Sequence, residues 1–153
     1  MRFLKFYYKF SPFIAVCVTF ILGYNRFMTE KYFNFLDYIG CSVEENDKEK
    51  AVLSIELRQE HLQHMGYIHG GVISTLADNT GWYVLEPHLR SDQTAMTQEL
   101  TVNYLHPGKG KKLSAVGKLI KMGERTAFVT VELFCDGRLI ATSSSHLAIL
   151  SER

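Results

Sequence analysis

Apolar side chains recur every three or four residues in the middle of the chain, between residues 70 and 87. This spacing is typical of an amphipathic helix that packs one face against a core. The positions on that face are Val72, Ile73, Leu76, Ala77, Thr80, Tyr83 and Val84. Gly70 and Gly71 stand where the helix would begin, and Pro87 ends it. The pattern therefore predicts one helix of about four turns after the glycine pair.

Apolar and polar residues alternate on both sides of this helix, which predicts β-strands. One strand is predicted before the helix, over residues 51–57, preceded by a short helix within 29–40 and a charged turn over 44–50. Four strands are predicted after it, over residues 94–104, 112–121, 126–135 and 139–150, and Asp136-Gly137 predicts a hairpin turn between the last two. In the first of these four, alternation places Met96, Gln98, Leu100, Val102 and Tyr104 on one face.

These elements predict an α+β domain in which the long helix covers one face of a curved antiparallel sheet. The chain has 153 residues, which is the size of a single domain with one core. It carries 17 Lys and Arg against 16 Asp and Glu, so no broad basic surface is indicated and nucleic acid is not an expected partner. Three cysteines without paired spacing, Cys17, Cys41 and Cys135, indicate a reducing compartment and a cytoplasmic location.

Residues 1–27 differ in composition from residues 28–153, which we predict to be the folded domain. Their only charges are Arg2, Lys5, Lys9 and Arg26, and residues 10–24 are uncharged. An uncharged run of about 15 residues is short for a membrane span and suits a signal-peptide core, but no small-x-small cleavage site follows it. Three interpretations remain: a membrane anchor that brings the protein to a membrane, a signal peptide, or sequence upstream of the true start.

Asp78 is the unusual residue of the predicted helix, because Asp disfavours a helix interior. It shares a face with Gly71, Ser74, Thr75 and Trp82. One interpretation is that Asp78 is a solvated carboxylate on an outer face of the helix. The presence of Trp82 on the same face favours the other interpretation, that Asp78 is a functional residue. The free N–H groups and partial positive charge at the helix start, at Gly70, could receive a carbonyl that becomes an oxyanion.

Three histidines before the helix raise the question of a metal. His61, His64 and His69 have the spacing H-x2-H-x4-H, which is not a zinc-protease motif, and no second ligand cluster accompanies them. We therefore predict no metal and no cofactor, and we interpret His61 and His64 as solvated side chains.

The string HLQHMGYIHGGVISTLADN, residues 61–79, resembles the signature of hotdog-fold acyl-CoA thioesterases of the phenylacetic acid degradation (PaaI-like) type. That signature has an Asn or Gln, a short Gly-containing loop, His-Gly-Gly, and an Asp nine residues after the His. The resemblance covers roughly residues 28–153. It implies a hotdog fold, in which the sheet wraps the central helix, and hydrolysis of an acyl-CoA thioester, with coenzyme A as part of the substrate.

The resemblance also implies site residues. In similar enzymes the site is shared across a dimer: one subunit supplies the amide residue and the Gly, here Gln63 and Gly70, and the other supplies the Asp, here Asp78. Gln63 departs from members that have Asn. Thr97 stands where some members place a Ser that positions water, although it is equally well an ordinary strand residue.

Further residues are expected to bind the substrate. By resemblance, His69 fixes the loop. Gly71, which lacks a Cβ, lets a ligand approach the backbone. Trp82 lines the acyl site, and Gly123 and Arg125 lie near the nucleotide end of coenzyme A, although a surface Arg after a turn is the simpler interpretation of Arg125.

The expected enzyme is a homodimer or homotetramer in which Asp78 acts as general base or as nucleophile. A non-catalytic acyl-CoA or fatty-acyl binding protein and a hydratase or dehydratase on the same fold are the alternatives.

Overall fold

The computed structural model describes residues 34–151, so the predicted extension over residues 1–27 lies outside the described part. The elements are α1 (Phe35–Tyr38), β1 (Cys41–Asn46), β2 (Ala51–Glu56), α2 (Gly70–Leu85), β3 (Gln93–Tyr104), β4 (Lys112–Met122), β5 (Thr126–Cys135) and β6 (Arg138–Ser151). None of the helices in this range has the length and hydropathy that a membrane span requires. The predicted long helix and all five predicted strands are present.

The sheet has a sixth strand that the sequence did not predict. Residues 41–46 form β1, which pairs antiparallel with β2, so the predicted charged turn over 44–50 was wrong for its first three residues. β1 lies at an edge of the sheet and most of its side chains are exposed. An edge strand that is exposed on both faces tolerates charges, and it therefore leaves no alternating pattern in the sequence.

The six strands form one antiparallel sheet in the order β1-β2-β4-β5-β6-β3. β3 and β4 are neighbours in sequence but not in the sheet, because β3 pairs with β6 at the far edge. The connection between them crosses the end of the sheet and is held there by backbone hydrogen bonds. Leu105 N and His106 N donate to Ile140 O at 2.9 and 3.1 Å, and Ile68 N donates to Gly108 O at 2.9 Å.

The helix α2 lies on one face of this sheet and supplies the middle of the core. Its buried residues are Ile73, Leu76, Ala77, Thr80, Gly81, Val84 and Leu85. Val72 and Tyr83, which the spacing also assigned to this face, are only half-buried. A Cβ on Gly117 of β4 would lie 2.5 Å from Val84 Cγ2, so the absence of a side chain at Gly117 lets the helix approach β4.

A β-bulge changes the predicted faces of β3. The register with β6 shifts between Thr97 and Glu99, and alternation breaks there. Met96, which was assigned to the same face as Leu100, is 63% exposed, and Ala95 is buried instead. A bulge adds one residue to a strand and so reverses the side-chain alternation that follows it.

Candidate active site

The loop that precedes α2 is a small closed hairpin. Leu62 and Ile68 form an isolated antiparallel bridge. Inside it, Gln63 N donates to Tyr67 O at 2.8 Å, and Gly66, with a positive φ of 78°, donates to Gln63 O at 2.8 Å. The hydrogen bonds of this hairpin therefore fix the direction in which the backbone enters α2.

His69 caps the N-terminus of α2. Its Nδ1 accepts a hydrogen bond from Gly71 N at 2.9 Å, and its backbone N donates to His61 O at 2.8 Å. A Cβ on Gly71 would lie 2.9 Å from the same Nδ1 atom, so the second glycine makes room for the cap. An N-cap acceptor of this kind satisfies one of the helix's unpaired N–H groups.

The N–H of Gly70 has a different environment from that of Gly71. Among residues 34–151 no backbone or side-chain atom accepts a hydrogen bond from it. The carbonyl of Gly70, in contrast, accepts a hydrogen bond from Tyr104 Oη at 3.1 Å. The free N–H lies at the end of α2 where the macrodipole is positive, which is suitable for binding a carbonyl oxygen or an anion.

An open cleft of about 490 Å³ surrounds this helix start. It is lined by Gln63, Tyr67, Ile68, Gly70, Gly71, Ile73, Tyr104, Leu105, His106, Pro107 and Gly108. Three of the predicted site residues, Gln63, Gly70 and Gly71, thus meet in one place. Gln63 Oε1 accepts a hydrogen bond from Met65 N at 2.7 Å, which leaves the Gln63 NH₂ group as the donor for a ligand.

Asp78 does not line this cleft. It is half-buried on α2, eight residues beyond Gly70, or about 12 Å along the helix axis. Trp82 is half-buried one turn further on, and its ring lies edge-on to the Tyr83 ring with 5.2 Å between the ring centroids. Thr97 is exposed on β3 at the bulge. A single protomer therefore brings the predicted amide and glycines together but not Asp78, Trp82 or Thr97.

A second cleft, of about 630 Å³, contains Arg125 and Gly123. It is lined by His88, Arg90, Gln93, Met122, Gly123, Glu124, Arg125 and Ser151. Arg125 makes no ion pair with another described residue, whereas Arg90 is paired with Asp92 at 3.1 Å. His88 and Arg90 were not predicted, because the connection between α2 and β3 carries no motif. Gln93 and Tyr104 mark the two ends of β3, so in one protomer the two clefts are roughly 35 Å apart.

The three histidines are not grouped around a common point. His61 is 3% exposed, and its Nδ1 accepts a hydrogen bond from Arg58 N at 3.0 Å. Burial, with a smaller contribution from Arg58, lowers the pKa of His61. Our interpretation of His61 as a solvated side chain was therefore wrong, whereas His64 is exposed. Within residues 34–151 no three His, Cys, Asp or Glu side chains are placed to hold a metal ion.

Sequence reasoning missed Tyr104 as a site residue and assigned it only to one face of a strand. The signal available was weak: an aromatic residue with a polar tip, at the end of a strand and three residues before Pro107. Its contact with Gly70 joins residues 34 positions apart and arises only in the folded chain.

Comparison with known proteins places this geometry in a family. The thioesterase superfamily model matches residues 65–141. A candidate esterase, SSO2140, of Saccharolobus solfataricus is 32% identical over 123 residues, which are 79% of this chain and 84% of that protein. Acyl-coenzyme A thioesterase 13 of Homo sapiens is 29% identical over 97 residues, which are 60% of this chain and 67% of that protein.

A solved structure of the phenylacetic acid degradation protein PaaI from Thermus thermophilus, in a mutant form, has the same fold. Its structure matches that of this chain with a TM-score of 0.68 and a sequence identity of 24%, and the match covers 74% of this chain and 96% of that chain. The similarity confirms the predicted arrangement of a curved antiparallel sheet around one long helix.

Proposed function

Because this chain belongs to the thioesterase superfamily, we propose that it hydrolyses an acyl-CoA thioester to a free acid and coenzyme A, without a metal or other cofactor. Family membership confirms the prediction of a thioester hydrolase, and the similarity to PaaI, at 24% identity, concerns the fold. The proposal of acyl-CoA as substrate is supported by the activity for which the human relative is named. The residues that perform the reaction are proposed from the geometry of the site.

The unpaired N–H of Gly70 is the observation that carries the proposal. In the proposed reaction it donates a hydrogen bond to the thioester carbonyl oxygen, at the positive end of α2. As water attacks, that oxygen gains negative charge and the hydrogen bond strengthens, which lowers the barrier. The NH₂ group of Gln63, in the same cleft, orients the thioester, and the His69 cap holds the helix start in place.

Asp78 is the proposed general base. Its carboxylate takes a proton from water while the water oxygen bonds to the carbonyl carbon. The C–S bond then breaks and the departing sulfur receives the proton, so that atoms and charge balance. In the variant mechanism the carboxylate itself attacks the carbonyl carbon and the C–S bond breaks, which releases coenzyme A as a thiolate. Water then hydrolyses the mixed anhydride to the free acid and the Asp78 carboxylate, and the proton that this step releases goes to the thiolate.

We propose that Asp78 acts on the cleft of a second copy, because it does not line the cleft of its own protomer. β3 offers the edge along which two copies would pair. It lies at the edge of the sheet, and among its 12 residues only Ala95 is buried. Such a long edge with a single charge, Glu99, is open to pairing with another strand.

Antiparallel pairing of two β3 strands would place the start of one beside the end of the other. The cleft with Arg125 and Gly123 of one protomer would then approach the Gly70 cleft of the other. Arg125, a cation without a described ion pair, is suited to a phosphate of coenzyme A. The same assembly would bring Thr97, as a water-positioning hydroxyl, and Trp82, as an acyl contact, toward the shared site. The expected assembly is a homodimer, or a homotetramer built from such dimers.

The test is thiol release from phenylacetyl-, benzoyl-, short-chain and medium-chain acyl-CoA by the full chain and by Asp78→Asn. We expect the variant to lose roughly 10²- to 10⁴-fold in turnover, the usual contribution of a general base, with an unchanged circular dichroism spectrum. Glu132→Gln is the matched control, because Glu132 is an exposed acid on β5 and should keep normal turnover.

Near-normal turnover of Asp78→Asn would refute the assigned role of Asp78. If the wild type binds acyl-CoA but releases no thiol from any ester, the protein is an acyl-CoA binding protein and the proposed function is wrong.

A further inference from the structure

The backbone around the Gly70 N–H is held at three points. The carbonyl of His69, which belongs to the same peptide group as that N–H, accepts hydrogen bonds from Val72 N at 3.0 Å and Ile73 N at 3.3 Å. In the next peptide group, the N–H of Gly71 donates to His69 Nδ1 at 2.9 Å, and the carbonyl of Gly70 accepts from Tyr104 Oη at 3.1 Å. Among residues 34–151 the other three polar groups of these two peptides are thus engaged, and the Gly70 N–H is the free one.

Of these bonds, the one from Tyr104 comes from outside the helix and its cap, and it matters because the helix start has little stiffness of its own. The first N–H groups of a helix have no intrahelical acceptor, and its terminal residues fray. Two consecutive glycines add conformational freedom that other residues would not have. Without outside partners, the peptides of Gly70 and Gly71 could rotate and turn the free N–H away from the cleft.

Tyr104 comes from a part of the chain that is well fixed. It is the last residue of β3, where it pairs with Ala141 of β6. Its ring covers the first residue of the helix: a Cβ on Gly70 would lie 3.5 Å from Tyr104 Oη and 3.6 Å from Cε1, which is ordinary van der Waals contact. The side chain therefore connects the sheet with the helix start by one hydrogen bond and by the edge of its ring.

We propose that Tyr104 is a positioning residue for the thioesterase reaction, whose hydroxyl holds the peptide after Gly70 so that the Gly70 N–H points into the cleft. This inference rests on the proposed function, because it assigns the oxyanion contact to Gly70. Tyr104 acts through the backbone and does not itself donate to the oxyanion, since its hydroxyl proton is directed to the Gly70 carbonyl.

The experiment compares wild type, Tyr104→Phe and Tyr38→Phe in thiol release from the acyl-CoA ester that the wild type hydrolyses fastest. Tyr104→Phe removes one oxygen and keeps the ring against the helix. We expect kcat to fall by about three- to tenfold, which corresponds to about 0.6–1.4 kcal/mol in the activation free energy. KM should change by less than about twofold, because the bond acts on the oxyanion more than on the ground-state carbonyl.

Tyr38→Phe is the matched control, because Tyr38 is an exposed tyrosine on α1, 64% accessible, and should leave kcat unchanged. The ¹³C chemical shift of the Gly70 carbonyl gives a second measurement. It should move upfield in Tyr104→Phe, where the carbonyl loses a donor, and stay constant in Tyr38→Phe. The melting temperature and the oligomeric state of the two variants should match those of the wild type.

The outcomes separate this inference from the function on which it rests. An active wild type with Tyr104→Phe kcat within twofold would overturn the positioning role and leave the proposed function intact. Raised KM at constant kcat would assign Tyr104 to substrate binding, and a changed oligomeric state would assign it to assembly; either result overturns the inference. A wild type that releases no thiol defeats the proposed function and the positioning role together.

Discussion

At the scale of single residues, Asp136 shows how one carboxylate fixes two connections. It has a positive φ of 47° in the turn between β5 and β6, followed by Gly137 at 82°. Its carboxylate accepts hydrogen bonds from Lys112 N at 2.9 Å and from Lys111 N at 3.0 Å. The hairpin turn therefore also holds the start of β4. The Asp-Gly pair was recognisable in the sequence as a hairpin turn, but its contact with β4 was not.

These backbone hydrogen bonds, from Lys112 first and then Lys111, hold the pKa of Asp136 below its ordinary value. A carboxyl group with a lowered pKa in the folded state stabilises the fold at pH values above its unfolded pKa, about 3.9. That stabilisation is lost as the pH falls through the lower, folded value. We therefore expect the wild type to have a higher melting temperature than Asp136→Asn at neutral pH. The difference in melting temperature should shrink below about pH 4.

The measurement is the melting temperature of both proteins between pH 7 and pH 3. Asn is a suitable replacement because it tolerates positive φ and keeps one acceptor oxygen. A difference that stays constant down to pH 3, or grows there, would contradict the assignment. Glu132→Gln serves as the control, since the Glu132 side chain is exposed and its carboxylate accepts no hydrogen bond from the described residues.

At the scale of elements, the contact between α2 and β4 depends on a missing side chain. A Cβ on Gly117 would lie 2.5 Å from Val84 Cγ2 and 2.9 Å from Thr80 Cγ2. Thr80 is fully buried and its hydroxyl donates a hydrogen bond to Leu76 O at 2.6 Å, so packing and this bond hold its side chain in place. A methyl group at Gly117 should therefore push the helix away from the sheet.

We expect Gly117→Ala to lower the free energy of unfolding by about 1–3 kcal/mol, as for other overpacked cores. Chemical denaturation measures this directly. Lys118→Ala, at the exposed neighbouring position of β4, should change it by less than about 0.5 kcal/mol. Equal stability of Gly117→Ala and wild type would show that the helix and β4 adjust to each other without cost.

At the scale of the whole molecule, the two edges of the sheet differ in how well they are protected. Each edge strand contains one bulge, so the difference lies in charge and length. β1 has two acidic residues, Glu44 and Glu45, within six residues, whereas β3 is twice as long and has one charge, Glu99. Charges are a common means by which an edge strand avoids pairing. The proposed pairing of two copies therefore belongs to β3.

Lysines on β3 test this assembly. Thr101 and Asn103 are exposed, and like charges that face each other across paired strands are destabilising. We expect the double variant Thr101→Lys, Asn103→Lys to dissociate to monomers at concentrations where the wild type is dimeric, as measured by light scattering after gel filtration. Turnover should fall with the dimer fraction, because the proposed site needs both copies.

The corresponding change at the other edge is the control. Ser42→Lys with Val43→Lys places two lysines on exposed positions of β1 and should leave the oligomeric state unchanged. Dissociation by the β1 variant, with an intact assembly in the β3 variant, would show that the interface lies at β1 and not at β3.

The sequence by itself determined the elements that have a periodic pattern. The helix, five of the six strands and the Asp-Gly hairpin follow from spacing and turn residues, because a half-buried helix or strand repeats its apolar positions at 3.6 or 2 residues. The meeting of Gln63 and Gly70 in one cleft also follows from a local loop and was predicted through the family resemblance.

Only the tertiary structure decided what depends on distant contacts. The exposed edge strand β1, the bulge in β3 and the pairing of β3 with β6 leave no periodic trace in the sequence. The same holds for the contact of Tyr104 with Gly70, for the burial of His61 and for the presence of Arg90 and Arg125 in one cleft. The local pattern of apolar residues indicates which face of a helix or strand is buried. Which other element packs against that face is determined only when the sheet forms around the helix.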